Sequence, residues 1–294
     1  MKANFEFAPI DLDYILKHKK EDLPEIIQIR EKIKESFGGI IFKEDTHQYF
    51  LPLTSGNQVE LDCVSNMTHK YVPYVDWEAV CQNKADKLGL DYEIVRRRWD
   101  YNNSKATNSG THVHEYGESW FYFSRGEVDK VIPYFKRQIE RGFFLPNSKK
   151  EEAVESFYNW FFKQEYLYPV LAETQVYTDK YAGTFDLLGY YKHPVDDSNS
   201  GLIILDFKTN NSLTSEYNRE NGVMLSNPFG NLYNEDTSLY TLQLSLYQIA
   251  LENIGLKVIG RRLIWLKEDG TYELIKLNNE TKRLREDIWN NNNG

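Results

Sequence analysis

Two acidic residues and a lysine lie on what the sequence predicts to be two adjacent β-strands. Asp206 and Lys208 follow the apolar run GLIIL, and because alternate residues of a strand share a face, their side chains leave the same side. Asp186 lies near the start of the preceding strand, and the intervening HPVDDSNS is typical of a turn. Antiparallel pairing of these strands predicts that Asp186 lies close to Asp206. Two carboxylates beside a cation are suited to binding Mg²⁺ and hydrolysing a phosphodiester bond.

A pair of histidines offers a further ligand. His112 and His114 lie in the stretch GTHVHEYGE, and the preceding Asn and Ser predict that a helix begins near residues 109 to 111. Residues two apart on a helix do not share a face, so only one of the two histidines can point at a site. We take His114, which shares a face with Glu118, as the candidate, and we expect His112 to be structural.

Two further patterns flank the acidic strands. Glu173 lies in the alternating stretch AETQVY, where it is either a third carboxylate of the site or a solvent-facing residue. Gln243 and Tyr247 are four residues apart in a segment whose apolar residues have helical spacing. On one helix face they can hydrogen-bond a phosphate or orient the lysine, or they are an ordinary exposed pair.

In this order the motifs resemble the PD-(D/E)XK nuclease superfamily, and within it the RecB-like and phage-type exonucleases. The resemblance covers residues 105 to 255 and consists of GTxxH, a strand glutamate, a GxxD strand, a DxK strand and QxxxY. Each motif is weak alone, since Asp-X-Lys is expected by chance in most chains of this size. The ordered set is specific, although Phe185 stands before Asp186 where the superfamily name implies a proline.

The resemblance implies a role for each matching residue. A divalent ion, Mg²⁺ or Mn²⁺, would be bound by His114, Glu173, Asp186, Asp206 and the backbone carbonyl of Phe207. Lys208 would orient or deprotonate the attacking water and stabilise the phosphate in the transition state. The nucleic-acid backbone or the lysine would be positioned by Gln243 and Tyr247.

The resemblance also implies a fold, which the predicted elements match. An α/β (α+β) restriction-endonuclease-like core is expected, with a central mixed sheet in the order αβββαβ flanked by helices. Residues 105–294 would form this nuclease core with a C-terminal strand and helix. Residues 1–104 would form an N-terminal extension of helices and a small β-meander.

Other segments have weaker signals. A helix is predicted to begin at Pro24 and end at Gly38, and residues 75–166 are predicted to be helical with breaks near Asn102-Asn103 and Pro146-Asn147. The polar segment 210–238 is interpreted either as a flap over the site or as a disordered insertion. In the flap interpretation its aromatic residues, Tyr217, Phe229 and Tyr233, could stack on bases.

Composition limits the partners and the setting. The net charge of −9 argues against a broad nucleic-acid-binding surface, although metal ions would supply local positive charge in a nuclease. No stretch approaches a membrane span and the N-terminus is acidic, so neither a membrane partner nor a signal peptide is expected. Cys63 and Cys81 are expected to stay reduced in a cytoplasm, which is the host's if a phage encodes the chain. Two cysteines cannot hold the four-cysteine iron–sulfur cluster of some RecB-like relatives, so none is expected.

Taken together, the sequence favours a Mg²⁺-dependent DNA nuclease. An exonuclease acting on single strands or duplex ends, alongside replication, recombination or repair proteins, is the preferred interpretation. The alternatives are a catalytically inactive nucleic-acid- or partner-binding module on the same fold, and a structure-specific endonuclease. A degenerate copy usually loses an acid or the lysine, and this chain keeps them all. The choices between DNA and RNA, and between the two polarities of digestion, stay open.

Overall fold

A computed structural model describes residues 20, 22–43, 46–127, 129–131 and 149–290 of the chain. None of the helices in these ranges is both long and apolar enough to cross a bilayer. Short 3₁₀ and π turns occur at Asp197–Asn199 and Glu286–Asn290. The α-helices are α1 (Pro24–Phe37), α2 (Val64–His69), α3 (Trp77–Leu88), α4 (Tyr92–Ser124), α5 (Lys149–Lys163), α6 (Glu216–Glu220), α7 (Asp236–Asn253) and α8 (Thr281–Arg285).

The strands form one mixed sheet. Its order is β1-β2-β3-β5-β6-β7-β8, and β4 pairs with β5. The β3–β5 and β6–β7 pairs are parallel, and the other pairs are antiparallel. The strands are β1 (Ile41–Lys43), β2 (Gln48–Pro52), β3 (Gln58–Cys63), β4 (Leu167–Tyr177), β5 (Tyr181–Tyr191), β6 (Gly201–Lys208), β7 (Val258–Leu266) and β8 (Tyr272–Lys276).

Helices cover both faces of this sheet, so the predicted mixed α/β class is confirmed. One apolar cluster lies between the sheet and helices α1, α2, α7 and α8. A second, rich in aromatic rings, lies between the sheet and helices α4 and α5. Alternate residues of β6 enter different clusters: Ile204 packs in the first, and Leu205 and Phe207 pack in the second. The side chains of Asp206 and Lys208 therefore face helix α7, opposite Phe207, as the period of a strand predicts.

Helix α4 corrects two predictions from the sequence. It runs unbroken through Asn102-Asn103, where a break was expected, and it begins at Tyr92 instead of near residue 109. Its start is fixed by Asp91, whose side chain accepts the backbone N–H of Glu93 at 2.8 Å. Asparagine in a helix interior costs only a few tenths of a kcal/mol, about as much as other ordinary residues, so it does not end a helix alone. The predicted domain division at residue 104 falls inside this helix, and Pro146-Asn147 lies outside the described residues.

The segment 210–238 is folded against the body of the protein and is not a disordered insertion. It contains helix α6 and a bridge between Met224 and Tyr233. Phe229 is fully buried, with its ring centroid 4.7 Å from that of Tyr71, so the prediction that it stacks on bases is wrong. Tyr217, by contrast, is 71% exposed. The sequence did not indicate this core contact, because Tyr71, the partner of Phe229, is remote in sequence.

Candidate metal site

A histidine and two carboxylates converge at one point beside the sheet. The ligand atoms of His114, Glu173 and Asp186 all lie within 4.8 Å of one another. His114 Nδ1 is 3.2 Å from Asp186 Oδ2, and the same oxygen accepts the backbone N–H of Phe207 at 2.6 Å. Two ligands on opposite sides of a Mg²⁺ ion are separated by about 4.2 Å, twice a metal–oxygen distance. Small side-chain rotations would therefore place all three groups around one divalent ion.

A glycine allows helix α4 to bring His114 to this point. A Cβ atom added to Gly117 would lie 2.8 Å from Cε2 of Phe207, closer than carbon atoms approach without a shift. The Tyr158 hydroxyl also donates a hydrogen bond to the Gly117 carbonyl at 2.7 Å. The first contact seats α4 on β6 and the second joins α4 to α5, both one helical turn beyond His114.

The backbone of β4 is unusual at Glu173. Its φ is +42°, in the left-handed region that non-glycine residues rarely adopt. Ala172 packs in the cluster on the α4–α5 side, whereas Val176, four residues later, packs in the opposite cluster. In a regular strand these two residues would share a face, so β4 reverses its alternation near Glu173. Such strained residues are concentrated at functional sites.

Strand β5 reverses its faces at the matching position. Phe185 and Leu187, two residues apart, pack in opposite clusters, with Asp186 between them. Along one edge of β5, residues 181 and 182 pair with β3 and residues 187 to 191 pair with β6. The stretch between these pairings, which ends at Asp186, therefore lies where β3 and β6 diverge. Asp186 lies at this gap between β3 and β6.

Asp206 and Lys208 lie beside the three convergent ligands. Leu187 pairs with Leu205, so Asp186 and Asp206 are each one residue beyond a paired position, as the antiparallel prediction requires. Lys208 Nζ is 2.5 Å from Asp206 Oδ2, and their side chains are 12% and 1% exposed. Asp206 is not among the three groups that converge most closely. Phe207 contributes its N–H, and a role for its carbonyl stays a prediction.

The three carboxyls, of which Asp186 and Asp206 are buried and Glu173 is partly buried, differ in acidity. Burial would raise the pKa of Asp186, but His114, Lys208 and the Phe207 N–H outweigh it, and the net pKa is lowered. Burial, followed by the charge of Asp186, raises the pKa of Asp206 to about 6. Burial also raises the pKa of Glu173 well above its ordinary value, and the charges of Asp186 and Glu118 add to this effect. A bound cation would lower the pKa values of Asp206 and Glu173, because it favours the charged form of each carboxyl.

Nearby carboxylates raise the pKa values of the two basic groups, Lys208 and His114. Burial would lower the pKa of Lys208, but the Asp206 and Asp186 carboxylates outweigh it and raise the pKa above its ordinary value. Burial would also lower the pKa of His114, but the Asp186 carboxylate outweighs this effect and the net pKa is raised. Lys208 is therefore charged at neutral pH. A ring nitrogen of His114 must lose its proton before it can bind a metal.

The remaining predicted residues occupy different surroundings. His112 is buried, with Nε2 2.7 Å from Glu151 Oε1, and thus lies in a contact between α4 and α5. Gln243 donates from Nε2 to the Tyr247 hydroxyl at 3.0 Å. Tyr247 is only 3% exposed and packs against Gly183, where an added Cβ would lie 2.7 Å from its ring. Gln243 is partly exposed and is the member of this pair that a ligand can reach.

Two residues near the lysine were missed from the sequence. The ring of Tyr240 lies under the Lys208 ammonium, with Nζ 4.3 Å from the ring centroid. The Tyr240 hydroxyl donates to Asn210 Oδ1 at 3.0 Å. Both had a weak signal: Tyr240 lies one helical turn before Gln243, and Asn210 continues the alternation of Asp206 and Lys208.

No protein-family profile matches this chain, and no curated protein is significantly similar to it in sequence.

Proposed function

We propose that this chain is a divalent-metal-dependent DNA nuclease of the RecB-like, phage-type exonuclease branch of the PD-(D/E)XK superfamily. The observation that carries this proposal is the convergence of His114, Glu173 and Asp186 within 4.8 Å, beside the buried Asp206–Lys208 pair. Imidazole and carboxylate ligands next to a fixed ammonium group are suited to chemistry at a phosphate.

The order of the elements supports the same proposal. Helix α5, strands β4, β5 and β6, helix α7 and strand β7 follow one another, and the folded segment that contains helix α6 lies between β6 and α7. The first three strands pair antiparallel, and β7 adds parallel to β6. The acidic residues come from β4, β5 and β6, and the lysine ends β6. This order supports the proposal, because the resemblance implies a core in the order αβββαβ.

The donor set fits Mg²⁺ or Mn²⁺. Asp186, Glu173 and Asp206 provide the oxygen ligands that these ions prefer, and His114 adds a nitrogen that Mn²⁺ accepts more readily than Mg²⁺ does. When bound, such an ion lowers the pKa of a coordinated water and neutralises charge on a phosphate. Burial and the neighbouring Asp186 carboxylate raise the pKa values of Asp206 and Glu173, and a bound divalent ion would favour the charged forms of both groups.

Of the two roles implied for Lys208, the electrostatic one is better supported. A lysine with a raised pKa keeps its proton at neutral pH, so it is a poor general base. Its ammonium, held against Asp206, can donate hydrogen bonds to the attacking water and to a phosphate oxygen. This placement stabilises the negative charge that develops in the transition state.

Incubation with end-labelled nucleic acids tests the proposal. Single-stranded DNA, duplex DNA, closed circular DNA and RNA would each be incubated with Mg²⁺ or Mn²⁺, using wild type, Asp206→Ala and Lys208→Ala. We expect metal-dependent degradation of linear DNA by wild type and a loss of at least 100-fold in both variants. Lys87→Ala, which removes an exposed lysine of helix α3, is the matched control and should cleave like wild type.

The other results have definite meanings. Cleavage of closed circles would indicate an endonuclease, and degradation of RNA alone would change the substrate class. DNA binding without cleavage by any form would favour a non-catalytic binding module. Cleavage that survives both substitutions would reject Asp206 and Lys208 as the centre.

A further inference from the structure

Two groups contact the Lys208 ammonium, the Asp206 carboxylate and the Tyr240 ring. Asp206 Oδ2 lies 2.5 Å from Nζ, and the Tyr240 ring lies with its centroid 4.3 Å from the same atom. An ammonium group over an aromatic ring is attracted by the negative face of that ring. Tyr240 therefore occupies one side of Nζ that water would otherwise fill, and it limits the rotamers open to a flexible lysine side chain.

The ring of Tyr240 is itself fixed by a chain of hydrogen bonds. Its hydroxyl donates to Asn210 Oδ1 at 3.0 Å, and Asn210 Nδ2 donates to Asp236 Oδ2 at 2.6 Å. Because Asp236 accepts a hydrogen bond, the Asn210 amide cannot flip without placing two oxygens together. The Asn210 backbone carbonyl also accepts from Trp265 Nε1 at 2.7 Å. Asp236 of α7 and Trp265 of β7 thus fix Asn210, which follows β6, and Asn210 in turn fixes the Tyr240 ring.

We propose that Tyr240, oriented by Asn210, is a positioning residue that fixes the ammonium group of Lys208 at the site. The placement stands on geometry alone, and its effect on cleavage rests on the nuclease function proposed above. In this role Tyr240 contacts neither the metal ion nor the attacking water. It acts through Lys208, by holding the ammonium where charge develops on the phosphate.

A spectroscopic test reads the placement without any activity. Protein carrying ¹³C at the lysine ε position would be examined by ¹H–¹³C NMR, with Lys208→Ala assigning the Lys208 signal. We expect ring current to shift this signal upfield in wild type and in Tyr240→Phe, and the shift to vanish in Tyr240→Leu. Tyr166→Leu is the matched control, since Tyr166 precedes β4 at the opposite end of the sheet and should change nothing.

A kinetic test reads the consequence. Tyr240→Leu should lower kcat on DNA about tenfold with KM within about twofold of wild type, as expected for loss of one cation–π contact in the transition state. Tyr240→Phe keeps the ring and should recover to within about threefold of wild type. Asn210→Ala should lie between these two variants. Thermal unfolding of each variant separates a local effect from failure to fold.

The two proposals fail in different ways. An unshifted Lys208 signal in wild type overturns the positioning role, whether or not the protein cleaves nucleic acid. A kcat of Tyr240→Leu equal to that of wild type overturns it as well. A shifted signal that Tyr240→Leu abolishes, in a protein that cleaves no nucleic acid, supports the placement and rejects the nuclease. If Tyr240→Leu unfolds, Tyr240→Phe and Asn210→Ala test the positioning role instead. Loss of the upfield shift in Asn210→Ala would support the chain of contacts. An unchanged shift in Asn210→Ala would overturn the claim that Asn210 orients Tyr240.

Discussion

Glu173 lies directly across from Asp186, between the paired residues Ala172 with Leu187 and Thr174 with Phe185. Both strands reverse their faces at this pair, and Glu173 has a φ of +42°. Two carboxyls on neighbouring strands thus meet where the regular alternation is broken. The backbone strain and the two carboxyls thus lie at one place, and measurements of stability and of metal binding test them separately.

The backbone strain at Glu173 predicts an unusual order of stabilities. Glycine adopts positive φ without a steric penalty, so Glu173→Gly should be more stable than Glu173→Ala by about 1 kcal/mol. The same pair at Gln175, on the same strand but without positive φ, should show the reverse order. Urea unfolding of the four variants measures this. Equal stability of the two Glu173 variants would mean that the left-handed backbone stores no strain.

The contact of Gly117 with Phe207 predicts a sensitive position on helix α4. Gly117→Ala adds a methyl group 2.8 Å from the Phe207 ring and should destabilise the protein by about 1–3 kcal/mol. Gly110→Ala is the matched control on the same helix, because its added carbon would make ordinary contact with Thr209 Oγ1 at 3.7 Å. Because alanine has a better helix propensity than glycine, Gly110→Ala should stabilise the protein by up to about 1 kcal/mol. Chemical denaturation measures both, and a neutral Gly117→Ala would contradict the close approach.

The raised pKa of Asp206 predicts how the free energy of unfolding depends on pH when no metal is present. Its pKa is about 6 in the folded protein, above the ordinary 3.8, so the folded state binds more protons between these values. Stability in a chelator should therefore rise as pH falls from 7 to 5, with about 1 kcal/mol due to this residue. Asp206→Asn should lose that part of the rise. An identical pH dependence in wild type and Asp206→Asn would reject the raised pKa.

Proton release should accompany metal binding. The pKa values of Glu173 and His114 are raised, and both groups must be deprotonated to bind a metal ion. Mn²⁺ affinity should therefore increase from pH 6 to pH 8, and calorimetry in two buffers should detect released protons. Glu173→Gln should bind more weakly and release fewer protons, whereas Glu31→Gln on the exposed face of α1 should match wild type. Affinity that does not change with pH would argue against these ligands.

Phe229 and Tyr217 should separate core packing from surface function in segment 210–238. Phe229 is fully buried and the Arg283 guanidinium lies 4.5 Å from its ring centroid, so Phe229→Ala should destabilise by about 3–5 kcal/mol. Tyr217→Ala removes an exposed ring and should change stability by less than about 0.5 kcal/mol. If Tyr217 stacks on bases, its loss should weaken single-strand binding at constant salt. Thermal unfolding and fluorescence anisotropy measure the two effects.

Much of the fold follows from local sequence patterns. Pro24 and the glycines after Phe37 bound α1, and apolar runs between turn residues mark β4, β5, β6 and β7. These signals are short-range, because helix ends and strand periods depend on a few neighbouring residues. The break expected in α4 shows the limit of such signals. Two asparagines lower local helix propensity, but the helix continues because its later half is anchored on the sheet.

For the candidate site, the sequence by itself determined which groups are available and which of them share a strand face. It placed Asp206 and Lys208 on one side of β6 and Phe207 on the other, since the period of a strand is two. Only the tertiary structure decided that Gly117 seats α4 on Phe207, that Glu173 and Asp186 meet where both strands reverse, and that Tyr240 holds Lys208. Each of these contacts joins residues distant in sequence, and packing between elements, which no local propensity encodes, fixes them.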